Sequence, residues 1–72
     1  MKDIVSVRFG KNLKKLRLNK GVSQEELAEI ADCHHNFIGS VERGEQQATA
    51  GKILRIAKAL NCKVSDLFKG LE

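Results

Sequence analysis

Residues 23–44, SQEELAEIADCHHNFIGSVERG, constrain this chain more than any other stretch. Two helical patterns meet at Asp32-Cys33, so close that the chain must reverse in a tight turn rather than a loop. Ser23 and Glu26 have the spacing of a capping box. The hydroxyl of one accepts the backbone N–H of the other, and the carboxylate reaches back. Glu25 and Glu26 sit near the positive end of the helix dipole. Leu27, Ala28 and Ala31 form a narrow apolar face, and the small Ala28 lets another helix approach closely. A turn this tight needs a residue at positive φ, usually Gly. Asp32 is a tolerated substitute, and Cys33 is expected to point inward as a small hydrophobe.

The second helix is expected over residues 34–43. At ~100° per residue, Phe37, Ile38 and Val41 cluster on one side, with Cys33 nearby. His35, Asn36, Gly39, Ser40 and Arg43 fall on the other, a set of short or polar side chains with one Arg at the end. Gly39 within a helix costs ~1 kcal/mol relative to Ala. Either it permits close approach to another surface, or it is simply an exposed position.

The flanking segments read as support. A first helix runs from about Asp3 or Val7 to Asn19, after a lead-in at residues 1–7. Val5, Phe9, Leu13 and Leu16 lie on one face and Lys11, Lys14 and Lys15 on the other. Leu18 falls on the polar side, and Gly21 suits the position just past a helix end. Thr49 is placed to cap a helix over residues 50–60. Ile53, Ile56, Ala57 and Leu60 form its core stripe, with Lys52, Arg55 and Lys58 off it. Asn61 follows where a left-handed residue belongs. A last short helix at about residues 65–69 carries Leu67 and Phe68.

Length and charge narrow the function. Seventy-two residues make a single domain over residues 1–72. A chain this short buries only ~60% of its unfolded surface, and oligomerisation is one source of extra stability. With neither a long apolar run nor a signal-peptide pattern, it is expected to be cytoplasmic, with no membrane contact. Residues 1–20 hold seven basic residues against Asp3 alone, a balance of +6, while residues 21–72 sum to −2. That basic end suits a polyanion, with Glu25, Glu26, Glu29 and Asp32 facing away from it. Cys33 and Cys62 are expected to stay reduced.

At SQEELA, Ile38 and Val41-Glu42-Arg43-Gly44 the chain resembles the lambda-repressor/Cro-like (Xre) helix-turn-helix family. The likeness continues through ILRIAKAL at residues 53–60 and Leu67-Phe68, covering about residues 8–68 without a gap. It implies an all-α, five-helix DNA-binding domain whose helix-turn-helix spans about residues 23–43. In such a motif the second helix lies in the major groove and the first crosses the backbone.

By position in the family motif, His35, Asn36 and Ser40 should read bases, with Gly39 leaving room for a thymine methyl or the backbone. Asn36 can bond bidentately to adenine. Gln24 matches the residue that holds a phosphate. Arg43, Gln46 and Lys52 are further phosphate candidates, with Lys11 and Lys14 weaker. His34, at the helix start, is a poorer cap than Ser or Asp. The family also pairs an Arg at the position of Arg17 with the Glu at Glu42. Family members bind double-stranded DNA as two-fold dimers on palindromic half-sites. The expected dimer patch is Val64, Leu67, Phe68 and Leu71, of which Leu67 and Phe68 could instead close the core.

The chain departs from the pattern at Asp32, where Gly is common, at Ala48, where Pro is frequent, at Gln47, where Asn is frequent, and at Ala50, where a larger apolar residue is common. These put loop geometry in question rather than the fold. Within the family, a phage-type repressor and a restriction–modification controller protein both remain open, and KKLRLNKGVSQEELA favours the controller. RNA polymerase is a further partner if the chain activates transcription. The rival from another class is an antitoxin-type interaction module, docking through Leu18 or the C-terminal apolar residues.

Two other chemistries find no support. Cys33, His34 and His35 are consecutive, so on a helix they diverge by ~100° and cannot close on one metal ion. No phosphate loop or carboxylate pair suggests an enzyme, and no cofactor is expected.

Overall fold

The computed structural model describes residues 3–71, so Met1 and Lys2 of the expected lead-in lie outside the described residues, as does Glu72. Among these residues five helices follow one another: α1 Ile4–Lys20, α2 Gln24–Ile30, α3 Phe37–Glu42, α4 Ala50–Leu60 and α5 Val64–Leu67. No strand occurs among the described residues.

The start of α1 is fixed by Asp3, whose carboxylate accepts the Ser6 N–H at 2.7 Å. Its buried face is Ser6, Phe9, Gly10, Leu13 and Arg17, spaced as one helical stripe. The apolar face expected from Val5, Phe9, Leu13 and Leu16 is therefore rotated. Val5 is exposed and Leu16 only half-buried. The reason is chemical: three of the five buried positions are Ser, Gly and Arg, so apolarity does not mark the stripe. Gly10 is where α1 meets α3. A Cβ there would stand 2.4 Å from the Val41 carbonyl oxygen and 2.7 Å from that of Glu42. Only a residue without a side chain lets these two backbones touch.

Four helices end alike. A residue one or two places past the helix turns left-handed, and its N–H and the next one return to carbonyls of the last turn. Gly21 and Val22 donate to Leu18 and Arg17, Asp32 and Cys33 to Glu29 and Ala28, Gly44 and Glu45 to Val41 and Ser40, and Asn61 and Cys62 to Lys58 and Ala57. Asp32 and Asn61 take positive φ (56° and 53°) where glycine serves at the other two ends. The turn between α2 and α3 is thus built without glycine. At the other end of α2, the Ser23 hydroxyl accepts the Glu26 N–H at 3.0 Å and the Glu26 carboxylate accepts the Ser23 N–H at 2.8 Å. Thr49 caps α4 and the Asp66 carboxylate closes the start of α5.

α3 is shorter than the expected helix over residues 34–43. It begins at Phe37, after a turn in which the Phe37 N–H bonds to the His34 carbonyl at 2.9 Å. The His34 Nδ1 accepts the Asn36 N–H at 3.2 Å. A side chain that takes its own backbone two residues on competes with the helical ladder, which is why His34, His35 and Asn36 precede α3 rather than begin it.

The core joins all five helices. Phe9 and Leu13 of α1 pack with Leu27, Ala28 and Ala31 around α2. Phe37, Ile38 and Val41 of α3, Ile56, Ala57 and Leu60 of α4, and Leu67 of α5 complete it. Ile53 of the expected α4 stripe is half-buried against this cluster, as is Cys33. Leu67 is 0% exposed. Phe68 stacks obliquely on Phe9, with ring centroids 5.1 Å apart. Of the expected dimer patch, Leu67 therefore closes the core, the alternative that its apolar character left open, while Phe68 keeps part of its surface. Val64 and Leu71 are half-buried. Among the described residues, the large apolar side chains left exposed are Ile4, Val5, Leu18, Ile30 and Leu54.

Candidate nucleic-acid interface

Arg17 and Glu42 set the position of α3. The Arg17 Nε donates to the Glu42 Oε2 at 2.6 Å and the Nη2 to its Oε1 at 3.1 Å. The third guanidinium nitrogen, Nη1, donates to the Val22 carbonyl at 2.9 Å. Both side chains are nearly sealed from water, at 8% and 3% exposure. A planar fork meeting a carboxylate in two bonds fixes orientation as well as distance. α1, the connection into α2 and the end of α3 are thus tied through one guanidinium.

Glu42 also accepts from the Gln24 Nε2 at 2.9 Å. The Gln24 amide therefore lies across α3, above Gly39. A Cβ at Gly39 would meet the Gln24 Oε1 at 3.2 Å and the Arg43 Nη1 at 3.1 Å. Gly39 is buried, so the close approach it permits is to these two side chains of its own domain. Arg43 itself is exposed. Its Nε pairs with Glu45 at 3.0 Å and its Nη2 donates to the Ser40 Oγ at 3.4 Å.

Beside this group runs a groove lined by His34, Asn36, Phe37, Ser40, Gln46 and Lys52. Its walls come from the turn before α3, from α3 itself, from the following loop and from the first turn of α4. Phe37 is buried, yet the Lys52 Nζ stands 4.3 Å from the centre of its ring. That cation–π contact holds the ammonium over the groove instead of letting it range through solvent. The groove thus gathers four of the residues expected to touch DNA: Asn36, Ser40, Gln46 and Lys52. Gln24, Gly39 and Arg43 form the adjoining group, linked through Ser40.

His35 lies elsewhere. It lines a separate depression with Glu25, Glu29, Asp32 and Cys33, and its ring stacks on His34 with centroids 4.3 Å apart. Two groove residues carry little sign of that place in the sequence: His34 stands where a helix cap is expected, and Phe37 where core is. A bulky aromatic directly before Ile38 gives no sign that one ring face will be open to a lysine of α4. Among the described residues no three His, Cys, Asp or Glu side chains converge as a metal-ligand group, and no helix is long and apolar enough to cross a membrane.

Known proteins share this fold. A model of the helix-turn-helix family matches residues 13–67. Control protein C.SmaI of Serratia marcescens is 44% identical over 59 residues, which cover 82% of this chain and 70% of that protein. The crystal structure of the restriction–modification controller protein C.AhdI from Aeromonas hydrophila superposes with a TM-score of 0.85 at 40% identity, covering 88% of this chain and 96% of that one. The P22 c2 repressor, solved in complex with a synthetic operator, superposes with a TM-score of 0.80 at 26% identity, covering 86% of this chain and 94% of that one. The chain belongs to the helix-turn-helix family of lambda-repressor-like DNA-binding transcription regulators, which includes the controller proteins of restriction–modification systems.

Proposed function

We propose that this protein binds a palindromic operator as a homodimer, with α3 and the turn before it in the major groove. The observation that carries the reading is the groove itself. It brings base-reading chemistry (Asn36, Ser40) and phosphate-binding chemistry (Gln46, Lys52) onto one surface. Asn36 can pair with adenine N6 and N7, while Ser40 donates or accepts and so discriminates weakly. Lys52 and Gln46 hold the backbone on one side, and Gln24 and Arg43 on the other. Arg43 exchanges its exposed Glu45 partner for a phosphate, a favourable trade near a polyanion. His35, whose ring stacks on that of His34, borders the groove on the side of Glu25, Glu29 and Asp32 and can add a further base contact.

One domain with so few base-reading side chains covers too little sequence to be unique in a genome, which is why a two-fold dimer is part of the reading. Val64 and Leu71 remain as C-terminal contributors to its interface. The likeness to C.SmaI and C.AhdI favours a controller of restriction–modification genes. Activation would add a contact with RNA polymerase.

A second reading rests on the exposure of Leu18 and Ile30. In it the same fold serves as an antitoxin-type interaction module. Selection of sheared genomic DNA from the source organism by the purified protein separates the two. Enrichment of a short inverted repeat near promoters supports the operator reading. No enrichment above random DNA, with co-purification of a neighbouring gene's product, supports the rival.

A further inference from the structure

We propose that Asn12 is a positioning residue for the homodimer, fixing the C-terminal turn of each copy so that its apolar side chains stand ready for the other. The inference rests on the homodimer reading above. It adds a residue of α1 that neither lines the groove nor belongs to the apolar patch. Two observations carry it. The Asn12 Nδ2 donates to the Leu67 carbonyl at 2.8 Å and to the Lys69 carbonyl at 2.9 Å. One turn earlier on α1, Arg8 lies along the same segment, where a Cβ on Gly70 would stand 3.6 Å from its guanidinium carbon.

The segment needs such support. α5 has four residues, too few to stand as a helix on its own, and its last carbonyls have no partner inside it. The chain then turns through Gly70 at φ 90°, and the Leu71 N–H returns to the Phe68 carbonyl at 3.0 Å. A primary amide carries two N–H donors, and Asn12 gives them to the carbonyls on either side of Phe68. Arg8 covers Gly70, directly before Leu71. α1 thus sets where Phe68 and Leu71 point. Val64, Leu71 and the open part of Phe68 are the C-terminal surface that the homodimer reading offers a second copy. Held in place beforehand, they lose little freedom when two copies meet. A two-fold interface uses the same patch twice, so a loosened turn weakens it from both sides.

Asn12→Leu keeps the side-chain volume and removes both donors. Asn12→Asp keeps the shape and turns an acceptor-only carboxylate onto two carbonyls. Sedimentation equilibrium gives the dimer dissociation constant of each variant and of wild type. Titration with a duplex carrying one half of the selected operator reads the groove of the folded monomer. Asn12→Leu is expected to raise the dimer constant about tenfold, roughly threefold from each copy, and Asn12→Asp to raise it further. Half-site affinity is expected to stay at the wild-type value in both.

A wild type that dimerises beside variants with the same dimer constant would overturn the inference and leave the homodimer reading standing. Half-site affinity falling together with the dimer constant, or variants that do not fold, would make Asn12 a support of the whole domain and overturn it too. A wild type that stays monomeric at every concentration, with and without the full operator, would remove the homodimer reading and this inference with it.

Discussion

Replacing Arg17 by Met tests what fixes α3 against the rest of the domain. The change keeps most of the side-chain volume and deletes three hydrogen bonds, two to Glu42 and one to the Val22 carbonyl. The Glu42 carboxylate, 3% exposed, then keeps only the Gln24 amide as a donor. Removing one partner of a buried ion pair costs ~3–5 kcal/mol. The lower end applies here, because Gln24 still solvates one oxygen. At ~4–8 °C of Tm per kcal/mol for a domain of this size, a cost of ~3 kcal/mol lowers Tm by about 12–24 °C. Against a total of ~5–15 kcal/mol for a folded protein, that is a large share. Urea unfolding followed by far-ultraviolet circular dichroism measures it, with the midpoint moving and the slope unchanged. Arg17→Met combined with Glu42→Met should recover part of the loss, since no charge is then left buried. A single-variant cost below ~1 kcal/mol, the range of an exposed pair, would refute the reasoning. So would a double variant less stable than the single.

Three more predictions follow from particular contacts. Gly10→Ala should destabilise by ~1–3 kcal/mol through overpacking, although Ala is ~1 kcal/mol better in a helix; a raised Tm would show that α1 can shift off α3 at no cost. Lys52→Ala should weaken binding to all duplexes alike and lower the salt slope by about one, and an unchanged slope would rule out its phosphate contact. Acid should loosen two helix starts. Backbone N–H groups of Ser6 and Ser23 hold the Asp3 and Glu26 carboxyls below their ordinary values of 3.8 and 4.5. Their contribution is intact above those values and is lost as pH falls below them through the lowered folded-state values. An acid titration of amide shifts at Ser6 and Ser23 checks this, and midpoints at or above the ordinary values would contradict it.

Most of the fold was legible because its signals are local. The capping box at Ser23, the left-handed residues Asp32 and Asn61, and the α4 stripe each follow from residue type and spacing alone. What was misplaced depends on contacts far apart in sequence. The buried face of α1 includes Ser6, Gly10 and Arg17, whose burial makes sense only once Gln47, the α3 carbonyls and Glu42 arrive against them. The start of α3 moved because one imidazole nitrogen found the Asn36 N–H, a choice that no periodicity records.

The interface was legible in part for the same reason. Spacing on a helical wheel puts His35, Asn36 and Ser40 on one face. Gln46 and Lys52 join that face only because the chain after Gly44 folds back beside it. Wheel and motif position both put His35 there, yet it borders a depression with acidic side chains, while His34 lines the groove, because both precede α3 and do not follow its helical spacing. The dimer patch was drawn from apolar residues near the end of the chain. A domain this small needs such residues for its own core, and Leu67 went there.

The most direct test of the central claim, that this groove is where DNA is read, is amide and side-chain shift mapping by NMR with the selected operator duplex. The account predicts the largest changes at His34, Asn36, Ser40, Gln46 and Lys52, with Gln24 and Arg43 next. Changes confined to the surface around Leu18, Ile30 or α5, with the groove resonances unmoved, would contradict it.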